Sequence, residues 1–133
     1  MKKRVVITPI GKTANETWNG IKNKECGVDE IKLFNAENFK TKFDAEVKDF
    51  NPLDYLDMKQ AKRLDRSSQF AIIAGREALK DSGITTENTD FNNVGVFVSS
   101  GIGGLITIQH QCEINYEKGN NRVSPMFIPM GIA

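Results

Sequence analysis

The sequence predicts an α/β fold, and three observations predict it. Apolar runs of strand length, Val5 to Ile7 and Val94 to Val98, alternate with stretches whose apolar residues recur at helical spacing. Start signals precede those stretches and glycines follow them: Thr13 to Glu16 before Gly27, Asp57 before Gly83, and Gly104 before Gly119. The run at Val94 meets a turn of small residues, Ser99 to Gly104, with a helical pattern directly behind it. That is the order strand, tight turn, helix.

Taken along the chain, Val5, Val6 and Ile7 predict a short buried strand. Thr13-Ala14-Asn15-Glu16 predicts a capping box, in which the Thr13 hydroxyl takes the Glu16 amide and Glu16 reaches back. The helix behind it places Trp18 and Ile21 on one face. Ile31, Leu33 and Phe34, then Ala45 to Val47, predict extended pieces, with Phe39 and Phe43 anchoring the polar stretch between them. Asn51-Pro52 is a turn. Asp57 caps a helix carrying Lys59, Lys62 and Arg63. The pattern runs on through Phe70, Ile73, Ala74, Ala78 and Leu79, with a break near Ser67-Ser68. Thr86 to Asn93 is a polar loop, and Val94 to Val98 is the central strand. The helix from Gly104 to Lys118 places Leu105, Ile108 and Cys112 on its buried face. Val123 to Ala133 is apolar, holds two prolines, and reads as a segment that packs onto something else.

Composition excludes several classes. A chain of 133 residues supports one modest core. Its net charge of +1 argues against nucleic-acid or membrane-surface binding through bulk charge. No run is long enough for a signal or membrane segment, which gives a cytoplasmic expectation. Two cysteines form neither a metal motif nor a disulfide framework, and no cofactor or metal is expected. The glycine turn is not a nucleotide loop either. Ile106 stands where a dinucleotide fingerprint needs its third glycine, and the Gly-Lys-Ser/Thr ending of a phosphate loop is missing.

Five stretches in order carry a resemblance over nearly the whole chain. They are Lys3 to Thr8, Ala45 to Phe50, Arg63-Leu64-Asp65-Arg66, Ser99 to Gly104, and Val123 to Met130. Together they resemble the β-ketoacyl-acyl-carrier-protein synthases, the condensing enzymes of fatty acid synthesis, and most of all the type II bacterial enzymes. The resemblance implies part of the N-terminal half of a thiolase-like αβαβα fold, with residues 1–133 ending before the catalytic cysteine. It implies an acyltransferase. The acyl chain passes to a cysteine, malonyl carrier is decarboxylated, and the carbanion attacks the thioester. It also implies acyl carrier protein, acyl and malonyl thioesters, and a second copy of the chain in a homodimer as partners. One departure is internal. The family's glycine-rich segment after the first strand is shorter here by roughly six residues, the length of a whole connection. Thr8 joins Pro9-Ile10-Gly11 directly, so the strand loses its end or the turn is rebuilt.

No catalytic residue is assigned within these 133 residues, because the resemblance places the nucleophilic cysteine and both histidines beyond Ala133. Cys26 reads as a surface thiol in a charged turn beside Lys24, and Cys112 as a small core residue. His110, the single histidine, reads as an exposed bystander in a polar helix patch. Lys59, Lys62 and Arg63 fall at i, i+3 and i+4 and share a helix face, which Arg66 extends. From the residues alone this is a solvated face; with the resemblance, it matches carrier-protein docking. Ile102, Phe127 and Ile128 match acyl-pocket positions, the last two also at the family's dimer interface. Ordinary core packing would use the same residues. Alternative readings remain: a non-catalytic fragment that only docks carrier protein or a full-length synthase, or a non-functional truncated product.

Overall fold

A computed structural model describes residues 6–132. The chain divides into two compact units. The first holds the described residues up to Phe50 together with Glu77–Gly83, and the second holds Asn51–Arg76 and the residues from Ile84 onward.

In the first unit Thr8 to Gly11 form a tight turn. Thr8 N–H donates to Gly11 O at 2.8 Å and Gly11 N–H returns to Thr8 O at 3.2 Å. The Thr8 and Thr17 hydroxyls meet at 3.0 Å. A β-carbon on Gly11 would collide with the Thr17 backbone nitrogen and with Glu16, so the turn depends on glycine here. The expected strand at Val5 to Ile7 is not present in its described part. Val6 is exposed, Ile7 is half-buried, and the pairing is a single Thr8–Gly11 bridge; Val5 lies outside the described residues.

Helix α1 (Ala14–Lys22) starts as predicted, with the Thr13 hydroxyl accepting from Glu16 N–H at 3.2 Å. The reciprocal half of the box shifts by one residue: the Glu16 carboxylate takes Lys12 N–H at 2.7 Å. Trp18 and Ile21 are exposed, so their face is not a core face among the described residues. Strands β1 (Asp29–Glu30) and β2 (Phe43–Asp44) pair antiparallel, Asp29 opposite Asp44 and Glu30 opposite Phe43. The extended pieces therefore lie about two residues before the predicted ones. Beyond the pair, the Glu46 carboxylate accepts from Lys32 and Leu33 N–H at 3.1–3.2 Å. Ile31 N–H still donates to Lys42 O at 2.9 Å, and side-chain acceptance replaces ladder bonding at Lys32 and Leu33. Phe39 and Phe43 are exposed; Phe39 stacks edge-on against Phe34 at 5.5 Å instead of anchoring a core.

In the second unit, Asn51 caps a short 3₁₀ turn with Pro52 in its first position, where a missing N–H costs nothing. Asp57 caps helix α2 (Met58–Arg63) by accepting from Gln60 N–H at 2.8 Å. The break before helix α3 (Arg66–Ser82) falls at Leu64-Asp65, earlier than Ser67-Ser68. Gly83 follows at φ +70°, a C-terminal cap position that favours glycine. Of the large apolar side chains described, Leu56 and Ile73 are the buried ones.

The largest correction concerns Val94 to Val98, which forms no strand. Phe97 is 99% exposed and Val96 83%. A continuous apolar run marks a strand buried on both faces, and among the described residues no segment pairs with it. Helix α4 (Leu105–Lys118) and its stop at Gly119, φ +85°, stand as predicted. Its packed face is a different one. Thr107 and Gln111 are buried, Ile108 is half-buried, and Leu105 and Cys112 are exposed. The apolar tail turns back as helix α5 (Phe127–Gly131) and packs on α4. Pro129 sits in the first turn of α5, where helix geometry tolerates it.

Candidate functional site

The second unit is organised around one carboxylate. Asp65 is 6% exposed and lies between α2 and α3. Its Oδ1 accepts from Ser67 N–H at 3.0 Å and from the Ser67 hydroxyl at 3.1 Å. Its backbone carbonyl takes the Gln69 amide at 2.9 Å, the first intrahelical bond of α3. Asp65 therefore caps α3. Its Oδ2 accepts from Thr107 N–H at 3.1 Å and from the Thr107 hydroxyl at 2.7 Å. Thr107 is the third residue of α4, a helix with no capping side chain of its own. Asp65 therefore satisfies an orphan amide there as well, and places negative charge at two positive helix ends. Burial pushes the Asp65 carboxyl up, but the hydrogen bonds from Thr107 and Ser67 outweigh it and hold the group below the usual carboxylate range.

Two neighbours complete this joint. Gln69, also buried, donates through Nε2 to Ala61 O at 3.0 Å and Leu64 O at 3.1 Å. It thereby ties the carbonyl end of α2 to α3. Gly104 N–H donates to Gly131 O at 2.9 Å. A β-carbon on Gly104 would sit about 3 Å from Gly131 Cα, Asp65 Cγ and Met130 O, so only glycine lets these elements meet unstrained.

The basic patch lies on α2. Lys59, Lys62 and Arg63 are exposed, and none forms an ion pair within the described residues. Lys62 and Arg63 occupy the last helical turn, where cations suit the helix dipole. Arg66 stacks over the Phe70 ring at 5.0 Å. In the glycine turn, Ser100 Oγ accepts from Gly103 N–H at 3.0 Å, and Gly103 has φ +76°. Ile102 on this turn is 69% exposed.

An open cleft of about 360 Å³ lies between α4 and the tail, lined by Gln111, Cys112, Asn115, Asn120, Val123 and Phe127. The buried Gln111 holds the tail in place by accepting from Ser124 N–H at 2.7 Å. Phe127 thus joins a cleft, whereas Ile102 and Ile128 are exposed and outside its lining. Of the three expected acyl-pocket residues, Phe127 is the one that lines this cleft. Cys26 and Cys112 are exposed free thiols, and His110 is exposed, 4.0 Å from Glu113. Among the described residues no cluster of His, Cys, Asp or Glu suits a metal ion, and no helix is long and apolar enough to cross a membrane.

Sequence reasoning gave no role to Asp65, Gln69 or Thr107. Half of the Asp65 role was open to it, since an aspartate directly before a helix is a capping signal. The Thr107 contact spans 42 residues and carries no local signal.

Comparisons with known proteins agree with this architecture. The profile of the β-ketoacyl synthase N-terminal domain matches residues 5–133. The chain is 40% identical over 138 residues to 3-oxoacyl-[acyl-carrier-protein] synthase 2 of Synechocystis sp., covering 99% of this chain and 33% of that protein. The same enzyme of Vibrio harveyi is 39% identical over 137 residues, covering 98% and 33%. The chain thus spans about a third of the length of the curated relatives it matches. Among solved structures, the ishigamide ketosynthase/chain length factor superposes with a TM-score of 0.78 at 24% identity, over all of this chain and 33% of that one. A type II polyketide acyl-carrier protein in complex with its ketosynthase gives 0.68 at 23% identity, over 95% and 35%. The fold is accordingly part of the ketosynthase, thiolase-like architecture. With the profile matched from residue 5 onward, the chain belongs to the β-ketoacyl synthase N-terminal domain family.

Proposed function

We propose that these residues form the carrier-docking and acyl-binding portion of a β-ketoacyl-acyl-carrier-protein synthase, an acyltransferase of fatty acid chain elongation. The observation that carries the reading is the trio Lys59, Lys62 and Arg63, exposed and, among the described residues, free of ion pairs, on a helix whose carbonyl end is pinned by Gln69. A fixed cluster of cations steers an acidic partner and sets its register, and acyl carrier proteins are such partners. Ile102, Phe127 and Ile128 are proposed to contact the acyl chain by area burial, with Phe127 and Ile128 also meeting a second copy of the chain in a homodimer. Acyl and malonyl thioesters are the proposed substrates of the complete enzyme, and a cytoplasmic location is proposed for it. The resemblance assigns the condensation step to a cysteine and two histidines that match none of residues 1–133, so docking is the activity to test here.

The test is fluorescence anisotropy with a labelled holo acyl carrier protein. Lys62→Glu combined with Arg63→Glu should weaken binding by tenfold or more, on the order expected for reversing two interfacial charges. Added salt should weaken the wild-type complex. An affinity unchanged by the double charge reversal would sink the docking reading.

A further inference from the structure

We propose that Asp65 is a positioning residue for carrier docking, holding the basic helix α2 in a fixed register with the glycine turn and the start of α4. The inference rests on the docking reading and adds the part of the molecule that gives the patch its geometry. Lys59, Lys62 and Arg63 sit on a helix of six residues, too short to hold its own orientation. Its far end is fixed in two steps. Gln69 Nε2 donates to the carbonyls of Ala61 in α2 and of Leu64 at its C-terminal cap, and Asp65, next in the chain after Leu64, accepts from the amides of Ser67 and Thr107.

Thr107 lies three residues beyond Gly104, which ends the turn that carries Ile102, and a β-carbon on Gly104 would meet the Asp65 carboxyl carbon at 3.0 Å. A carrier seated on α2 delivers its thioester at a distance set by this joint. The donor chemistry explains why a carboxylate is needed. Four donors converge on two oxygens. An amide offers one oxygen and one donor group, so in either orientation it turns a donor against one of the helix ends.

The experiment is a double-mutant cycle read by carrier anisotropy on the full 133-residue chain. Circular dichroism on each variant checks that it is folded. Asp65→Asn is expected to weaken binding about tenfold, and to weaken it no further when combined with the Lys62→Glu and Arg63→Glu pair, because both act on one interaction. A general loss of folded protein would instead multiply with the charge reversal. Should Asp65→Asn not fold, Thr107→Val removes the 2.7 Å bond alone. Thr107→Val should weaken binding, and Thr107→Ser should restore it. Folded Asp65→Asn or Thr107→Val with wild-type affinity, or fully additive effects, would overturn the positioning role while leaving the docking reading intact. If the charge-reversed pair binds as well as wild type, both readings fail together.

Discussion

At the residue scale, two carboxylates and two glycines make the sharpest statements. The Lys48 ammonium donates to Asp29 at 2.9 Å. With the Glu30 amide and the Lys32 charge, it lowers the Asp29 carboxyl from 3.8 to about 2. The charged form is the one favoured by folding. The contribution is therefore complete above the ordinary carboxylate range and is lost as pH falls through that range toward about 2. The pair is exposed, so salt screens it. A carboxyl titration by NMR should place Asp29 near 2, and Lys48→Met should return it toward 3.8. Asp65 is depressed in the same direction, so its hold on the joint at α4 is present above the ordinary carboxylate range and is lost as pH falls below it. Amide exchange at Thr107 against pH reads this. Gly104→Ala should destabilise by about 1–3 kcal/mol through overpacking, seen in denaturant melts. Gly75, with open space around it, should accept alanine without loss.

At the scale of elements, the capping signals were legible in the sequence and the strands were not. Thr13, Asp57, Gly83 and Gly119 mark helix ends where their own chemistry acts within a few residues, and the structure places the helices there. A strand depends on partners distant in sequence. Val94 to Val98 carries every local mark of one and forms none, because no described segment bonds to it. The candidate site divides the same way. The periodicity of Lys59, Lys62 and Arg63 revealed their shared face, while the Asp65–Thr107 contact had no periodicity to reveal it. Two expectations follow. Asp65→Ala removes two helix caps and should cost about 2 kcal/mol, at about 1 kcal/mol per cap. Phe97→Ser, at a side chain almost wholly in water, should leave the melting temperature within error and lower aggregation, checked by light scattering.

For the molecule as a whole, the balance lies with polar joints more than with an apolar core. Leu56 and Ile73 are buried, while Trp18, Phe43, Phe97, Ile102 and Ile128 are among the many large apolar groups in contact with water. Each fully buried aliphatic side chain contributes about 1.5–3 kcal/mol, against about 1–2 kcal/mol of backbone entropy per ordered residue. The isolated chain should unfold over a broad range, with a calorimetric enthalpy well below the typical ~0.7 kcal/mol per residue. It should also bind a hydrophobic dye before heating. A sharp transition at the typical enthalpy would contradict this.

The shared cap at Asp65 also has a kinetic meaning. The first turn of α4 has no capping side chain within its own sequence, so it stays frayed until a residue 42 positions earlier arrives. Closing that loop must precede any gain from it. Mutations at Asp65 or Thr107 should therefore slow refolding by most of their effect on stability if the joint forms in the transition state, giving φ-values near 1 there and low values in α1. The order of events would then run from the joint outward, with the basic helix acquiring its fixed orientation at the same moment as the glycine turn.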